Sequence, residues 1–126
     1  MVFGATGQTG RLLVERAVSA GHATTAFARV PARMGTAVGS VRVVQGDVLN
    51  AAAVGHAVAG QDAILSALGT AARGSPPVLP DGIRHILDAM EGHGVRRIVA
   101  LSAAGALHEP AGSALGGFGL ALARAT

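Results

Sequence analysis

Three glycines at the start of the chain restrict its fold more than anything after them. Met1-Val2-Phe3 leads directly into Gly4-Ala5-Thr6-Gly7-Gln8-Thr9-Gly10, and Arg11-Leu12-Leu13-Val14 continues with helical spacing. A Gly-x-x-Gly-x-x-Gly run between a short apolar segment and an amphipathic one marks a strand that turns sharply into a helix. Gly4 permits the turn out of the strand. Gly7 lets the backbone come close to a diphosphate, and Gly10 lets the helix lie against the sheet. The N–H groups of the helix's first turn have no intrahelical acceptor, so they aim at the anion.

The rest of the chain repeats this strand-then-helix rhythm. Gln8 to Ala20 reads as a helix with Leu12, Leu13, Ala17 and Val18 on one side and Gly21 as its stop. Ala23 to Ala28 is a second strand, and residues 29–40 are a loop with a short helix, broken by Pro31, Gly35 and Gly39. A third strand, Val41 to Val44, ends at Gly46-Asp47. Asn50 caps a helix over Ala51 to Val58, and Asp62 to Ser66 is a fourth strand. Gly69 to Pro80 is a loop. Asp81 is placed as the cap of a helix with Ile83, Ile86, Leu87 and Met90 facing inward, ending at Gly94. Val95 to Leu101 is the fifth strand, and the segment from Gly116 to Arg124 is glycine-rich and featureless.

Alternating strands and helices joined by short connections predict an α/β fold, a Rossmann-like doubly wound parallel sheet. Right-handed crossovers give the strand order 3-2-1-4-5. Residues 1–105 are expected to form the nucleotide-binding domain, with 106–126 an unassigned tail of the same domain. A first strand of two or three residues would lose ladder bonds on both sides. An uncovered edge beyond the fifth strand would expose unpaired backbone, which predicts marginal stability or self-association unless the tail covers it.

Composition excludes several classes of function. At 126 residues the chain is one domain, half of it apolar and only 13% charged, which argues for a packed core and against disorder. It has no cysteine, so it carries neither a disulfide framework nor a thiolate metal site, in keeping with a cytoplasmic location. The net charge of +3 rests wholly on arginine, since there is no lysine; the arginines are scattered and there is no Trp or Tyr to stack bases. Nucleic acid is therefore not an expected partner. No apolar run reaches the roughly 18 residues that cross a bilayer, and the opening lacks the basic leader of a signal peptide.

Five places remain where chemistry could sit. Arg29 ends the second strand about 20 residues past the glycines, where an acid would hold the ribose 2′-hydroxyl of NAD and an arginine suits the 2′-phosphate of NADP. Arg33, a short turn further, could add a forked donor; the plainer reading of Arg29 is a solvated strand end. Asp47 could accept from an adenine amino group with Val48 against the ring, or simply start a turn. Leu68 and Gly69 follow the fourth strand, where small residues would let a dinucleotide lie across the strand ends or merely form a glycine turn. Ser102 ends the fifth strand, either facing a nicotinamide or closing a turn. The five histidines do not have metal-ligand spacing: His22 and His93 sit at helix ends, His56 and His85 on helix faces, and nothing orients His108. Without tyrosine, lysine or cysteine there is no Tyr-x-x-x-Lys proton donor and no thiol nucleophile.

Four phrases now combine: Phe-Gly-Ala-Thr-Gly-Gln-Thr-Gly (3–10), Gly-Asp-Val-Leu-Asn-Ala-Ala-Ala-Val (46–54), Val-Ala-Gly-Gln-Asp-Ala (58–63) and His-Gly-Val-Arg-Arg-Ile-Val-Ala (93–100). Together they resemble the NAD(P)H-binding, atypical short-chain dehydrogenase group, and within it the NADPH-dependent flavin reductase (biliverdin IXβ reductase) branch. The likeness runs from about residue 2 to about residue 105. It implies NADP(H) contacts from Gly4, Thr6, Gly7, Gln8, Thr9 and Gly10, 2′-phosphate contacts from Arg29 and Arg33, adenine contacts from Asp47 and Val48, and further contacts near Leu68 and Gly69. Ser102 matches the active-site serine of that branch. Such enzymes pass hydride to flavins or linear tetrapyrroles held over the nicotinamide. Residues 106–126 do not match the helix and strand that border the substrate pocket there, so the substrate half is expected to be missing and the chain to be a fragment.

Two functions follow as expectations. One is an NADPH-dependent oxidoreductase with a flavin or similar planar small-molecule acceptor. The other is a non-catalytic NADP(H)-binding redox-sensor module. A nucleotide-sugar epimerase or dehydratase is disfavoured by the missing tyrosine and lysine.

Overall fold

The structure is a computed structural model that describes residues 1–35, 39–69, 78–103 and 118–124. Its strands are β1 (Val2–Phe3), β2 (Thr24–Ala28), β3 (Val41–Gln45), β4 (Ile64–Ser66), β5 (Arg97–Ala103) and β6 (Phe118–Arg124). Its α-helices are α1 (Gln8–Ser19), α2 (Ala51–Val58) and α3 (Val78–His93), with a 3-10 turn at Pro31–Met34. The sheet order is β3-β2-β1-β4-β5-β6. The first five strands are mutually parallel in the expected 3-2-1-4-5 order.

The short central strand is tied in more fully than its two residues suggest. Leu65 N–H donates to Met1 O at 2.8 Å and Ala67 N–H to Phe3 O at 2.9 Å. The Met1 ammonium donates to Ala63 O at 2.8 Å, so the β1–β4 ladder starts one residue before β1, at Met1, and runs one residue past each end of β4, at Ala63 and Ala67. Burial pushes the pKa of that amino group down, with the Asp62 carboxylate pulling the other way.

Two apolar cores lie on opposite faces of the sheet. Phe3, Phe27, Val54, Val58, Ile64, Ile86, Met90 and Ile98 pack beneath α2 and α3. Val2, Ala5, Val14, Ala26, Ala28, Met34 and Val41 pack beneath α1. Val2 and Phe3 thus face opposite sides, the period of two that a strand imposes. All five residues of β2 are buried, as a strand covered on both faces requires.

The structure corrects several details of the sequence reading. Leu12 is 59% exposed, while Gly10 and Val14 are the buried residues of α1. At about 100° per residue, Leu12 lies roughly 200° around the helix from Gly10. The glycine that must pack against the turn after β1 therefore sets the rotation and turns Leu12 outward. Leu87 is 43% exposed for a similar reason, because α3 packs through Gly82, Ile86 and Met90 at steps of four. Asp81 is not a cap. The helix begins at Val78, which puts Asp81 in its first turn, where its carboxylate suits the helix dipole and lies 3.4 Å from Arg84. Asn50 does cap α2, accepting from Ala53 N–H at 3.1 Å.

The featureless tail holds a strand. Residues 118–124 form β6, antiparallel to β5, with Arg97 opposite Arg124 and Ala103 opposite Phe118. This covers the β5 edge that the sequence reading left bare. Residues 70–77, Ala104, Gly105 and His108 of that reading lie outside the described residues.

Candidate functional site

The carboxyl ends of β1, β2, β3 and β4 converge on one cavity of about 540 Å³. It is lined by Gly4, Thr6 and Gly7 after β1, and by Phe27, Ala28 and Arg29 at the end of β2. Gly46 to Leu49 follow β3, Ala67 to Gly69 follow β4, and Val78 opens α3. The cavity straddles the place where the connections leaving neighbouring β1 and β4 pass to opposite faces of the sheet, the switch point at which open α/β sheets take ligands. Its volume lies within the range of sites for small organic molecules.

Each glycine has its own task. Gly4 has φ +72°, and a Cβ there would lie 2.6 Å from the Ala67 carbonyl oxygen, so the turn closes tightly on the β4 end. A Cβ on Gly10 would fall onto the Gly4 carbonyl, so this glycine seats α1 against the loop. Gly7 differs from both. Its φ of −76° suits any residue, and among the described residues a Cβ would meet only Gly4 O, 3.5 Å away. Among the described residues nothing demands a glycine at position 7, and Gly7 lines the cavity.

The start of α1 is left uncapped. Gly7 is its N-cap, with no side-chain cap, and the first helical bond is Arg11 N–H to Gly7 O at 3.0 Å. Gly7 N–H donates to Gly4 O at 3.2 Å, while among the described residues the amides of Gln8, Thr9 and Gly10 have no backbone acceptor and can meet an anion. The capped start of α2 at Asn50 shows what a helix end without such a task looks like.

Of the residues singled out in the sequence, Gly4, Thr6, Gly7, Arg29, Asp47, Val48, Leu68 and Gly69 are brought together on the cavity wall. Gln8, Thr9 and Gly10 form the first turn of α1 beside it, with Gln8 and Thr9 exposed and Gly10 buried. Arg33 lies on the 3-10 turn beyond the β2 end, exposed, and its carbonyl accepts from Arg11 Nη2 at 2.6 Å. Arg29 is exposed, and among the described residues no ion pair engages it. Asp47 does start a turn: its Oδ1 accepts from Leu49 N–H and its carbonyl from Asn50 N–H, both at 2.9 Å. Val48 is buried, its methyl groups against Gly82 of α3. Ser102 stands in β5 opposite Gly119, two residues beyond the Ser66–Ala100 pair, which sets it level with Leu68 at the carboxyl edge. Its side chain lies outside the described residues.

The sequence reading singled out none of Phe27, Ala28, Gly46, Leu49, Ala67 and Val78, which also line the wall. Phe27 has a legible signal in retrospect. Its ring lies where a Cβ of Gly46 would be, 2.6 Å from the nearest ring atom, so the glycine and the aromatic are one feature. Val78 has no local signal, because its place depends on how α3 docks. Among the described residues, no three His, Cys, Asp or Glu side chains converge as metal ligands, and no helix is long and apolar enough to cross a membrane.

A parallel sheet with an uncapped glycine turn at its switch point defines a nucleotide-binding domain of Rossmann type. Residues 4–121 match the family described as NAD(P)H-binding, and the chain belongs to that family. Solved structures agree. A Rossmann-fold NAD(P)-binding family protein from Shigella flexneri is 28% identical with a TM-score of 0.66, over 77% of this chain and 47% of that one. Uronate dehydrogenase from Agrobacterium tumefaciens is 30% identical with a TM-score of 0.67, over 81% and 39%. An NADPH-dependent quinone oxidoreductase from Escherichia coli, complexed with NADPH, is 26% identical with a TM-score of 0.63, over 77% and 34%. The chain therefore spans less than half the length of each of these proteins. Its family is one of NAD(P)H-binding, oxidoreductase-like proteins.

Proposed function

We propose that the chain is the cofactor-binding part of an NADPH-dependent reductase that delivers hydride to a flavin or a similar planar acceptor. The observation that carries the cofactor is the pairing of an α1 start without a side-chain cap with Gly7, a glycine that no described neighbour requires. The phosphorylated nucleotide is favoured by Arg29 on the wall at the β2 end, with Arg33 a turn beyond, where no carboxylate stands to hold a 2′-hydroxyl. The planar acceptor rests on the resemblance to flavin reductases. The quinone named for the Escherichia coli relative is planar too.

Bound NADPH supplies a hydride from C4 of its nicotinamide. The chain's part is to bind and orient. The first-turn amides of α1 hold the diphosphate over Gly7, and the guanidinium of Arg29, joined by that of Arg33, holds the 2′-phosphate. Asp47 uses its remaining carboxylate oxygen for the adenine amino group, and Val48 and Leu49 flank the ring. Leu68 and Gly69 carry the dinucleotide across the β4 end toward β5. There Ser102 serves as a hydrogen-bond partner for a nicotinamide or acceptor carbonyl. This chain has no tyrosine or lysine to deliver a proton, and its share of the rate comes from holding donor and acceptor together. In this reading the protein draws on cytoplasmic NADPH.

The test is a thermal-shift titration with NADPH and NADH, followed by NADPH absorbance with FMN added. Stabilisation by NADPH at lower concentration than by NADH, and NADPH oxidation on adding FMN, are expected. Tight NADPH binding without oxidation would instead assign the redox-sensor role. No stabilisation by either nucleotide would end the proposal.

A further inference from the structure

We propose that His85 is a positioning residue for the adenine end of the cofactor site, acting through the Val48 carbonyl. This rests on the reading above that the turn after β3 receives the adenine.

Within that turn, local hydrogen bonds account for the Asp47 carbonyl, the Asp47 side chain and the Leu49 and Asn50 amides. The Val48 carbonyl is turned the other way. It lies 2.9 Å from His85 Nδ1, across 37 residues of sequence, and the imidazole is half-buried. A carbonyl only accepts, so Nδ1 must carry the proton and donate; in the neutral ring Nε2 is then the acceptor nitrogen. This bond ties the turn to α3.

The same helix holds Val48 a second way. Gly82 lies three residues before His85, on the same face. A Cβ on Gly82 would sit 3.1 Å from both Val48 methyl groups and 3.4 Å from Leu68 Cδ1. Helix α3 thus grips Val48 by its carbonyl through His85 and by its side chain through Gly82. Val48 is at once the cavity wall and the gripped residue. The Asp47 carboxylate, one residue earlier, inherits its aim from this anchor. Losing the His85 donor leaves the Val48 carbonyl without a partner and lets the turn drift at the adenosine end. Ser102 and the β4 end are untouched.

The experiment compares the chain with His85→Ala and His85→Asn, using 2′,5′-ADP as the probe of the adenosine half. Asparagine is the conservative variant because its Nδ2 can stand where Nδ1 stands. His85→Ala is expected to weaken 2′,5′-ADP about 3- to 10-fold, the effect of one neutral hydrogen bond. It should also raise amide exchange at Leu49 and Asn50 with little change at Val54 and Ala57, and His85→Asn should restore most of both. A destabilised His85→Ala chain with unchanged 2′,5′-ADP affinity would reduce His85 to packing and overturn the inference. Imidazole nitrogen NMR on the unsubstituted chain, free of nucleotide, gives a reading that no variant's folding can spoil: the Nδ1–H tautomer supports the proposal and the Nε2–H tautomer refutes it. If the unsubstituted chain ignores 2′,5′-ADP, the cofactor reading itself falls and takes this inference with it. If that chain binds and His85→Ala binds equally, only the role of His85 falls.

Discussion

Gly7 and Gly10 stand three residues apart in one motif, yet alanine should act on them in opposite ways. At Gly10 the added methyl meets the Gly4 main chain, which cannot swing aside as a side chain would. Overpacking against main chain lies at the upper end of the usual cost, about 2–3 kcal/mol, and the helix propensity gained by replacing glycine returns about 1 kcal/mol. A net loss of about 1–2 kcal/mol lowers Tm by roughly 4–8 °C for a domain of this size. At Gly7 the backbone is already in a conformation open to alanine, and the nearest protein atom is 3.5 Å from the new carbon. A weaker N-cap costs about 0.5–1 kcal/mol, and the stiffer unfolded chain offsets about the same. Tm should therefore move by no more than about 2 °C. Binding should show the reverse order of severity per degree lost. The Gly7 methyl projects into the cavity where the diphosphate is proposed to lie, and NADPH should weaken at least about tenfold, or 1.4 kcal/mol. Gly7→Val should be worse still. The assay is calorimetric titration of NADPH beside thermal denaturation of the same preparations. Gly7→Ala with unaltered NADPH affinity would show that no diphosphate passes over that glycine. A Tm loss equal to that of Gly10→Ala would contradict the geometry of the turn.

Arg29→Ala should weaken NADPH by about tenfold or more while leaving NADH nearly unchanged, because a charge-assisted hydrogen bond to phosphate is worth about 1.5–3 kcal/mol; equal losses for both nucleotides in parallel titrations would remove the phosphate role. Ser102→Ala should slow single-turnover NADPH oxidation with FMN and leave NADPH affinity intact, and an unchanged rate would free Ser102 from the chemistry. Asn50→Ala removes the cap of α2 and should lower stability by about 1 kcal/mol, near 4 °C in Tm, without changing NADPH affinity. A silent Asn50→Ala in denaturation would mean that the bond to Ala53 contributes nothing.

The site was legible wherever one residue type suffices to state a local backbone need. The strand-to-helix turn requires glycine, and Gly4 and Gly10 lie in close contacts that exclude a Cβ. Arg29 and Asp47 were legible as candidates because they lie one and two residues past the ends of β2 and β3, and the ends of parallel strands are where such sheets bind. His85 was read as a bland residue on a helix face. Its meaning depends on a carbonyl 37 positions away, and no spacing rule connects the two.

Sequence alone determined the parallel five-strand order, because strand–helix alternation with short connections leaves few right-handed solutions. It also determined the tight turn from β1 into α1, because glycine spacing encodes main-chain geometry directly. Tertiary structure decided the rest. The rotation of α1 that exposes Leu12 follows from which residue packs against the turn after β1. The pairing of β6 with β5 draws on a glycine-rich segment with weak strand propensity of its own, since edge hydrogen bonds are met by whatever backbone the fold brings alongside. The grip of α3 on Val48 exists only once two distant segments pack, because a carbonyl carries no mark in the sequence of the donor that will satisfy it.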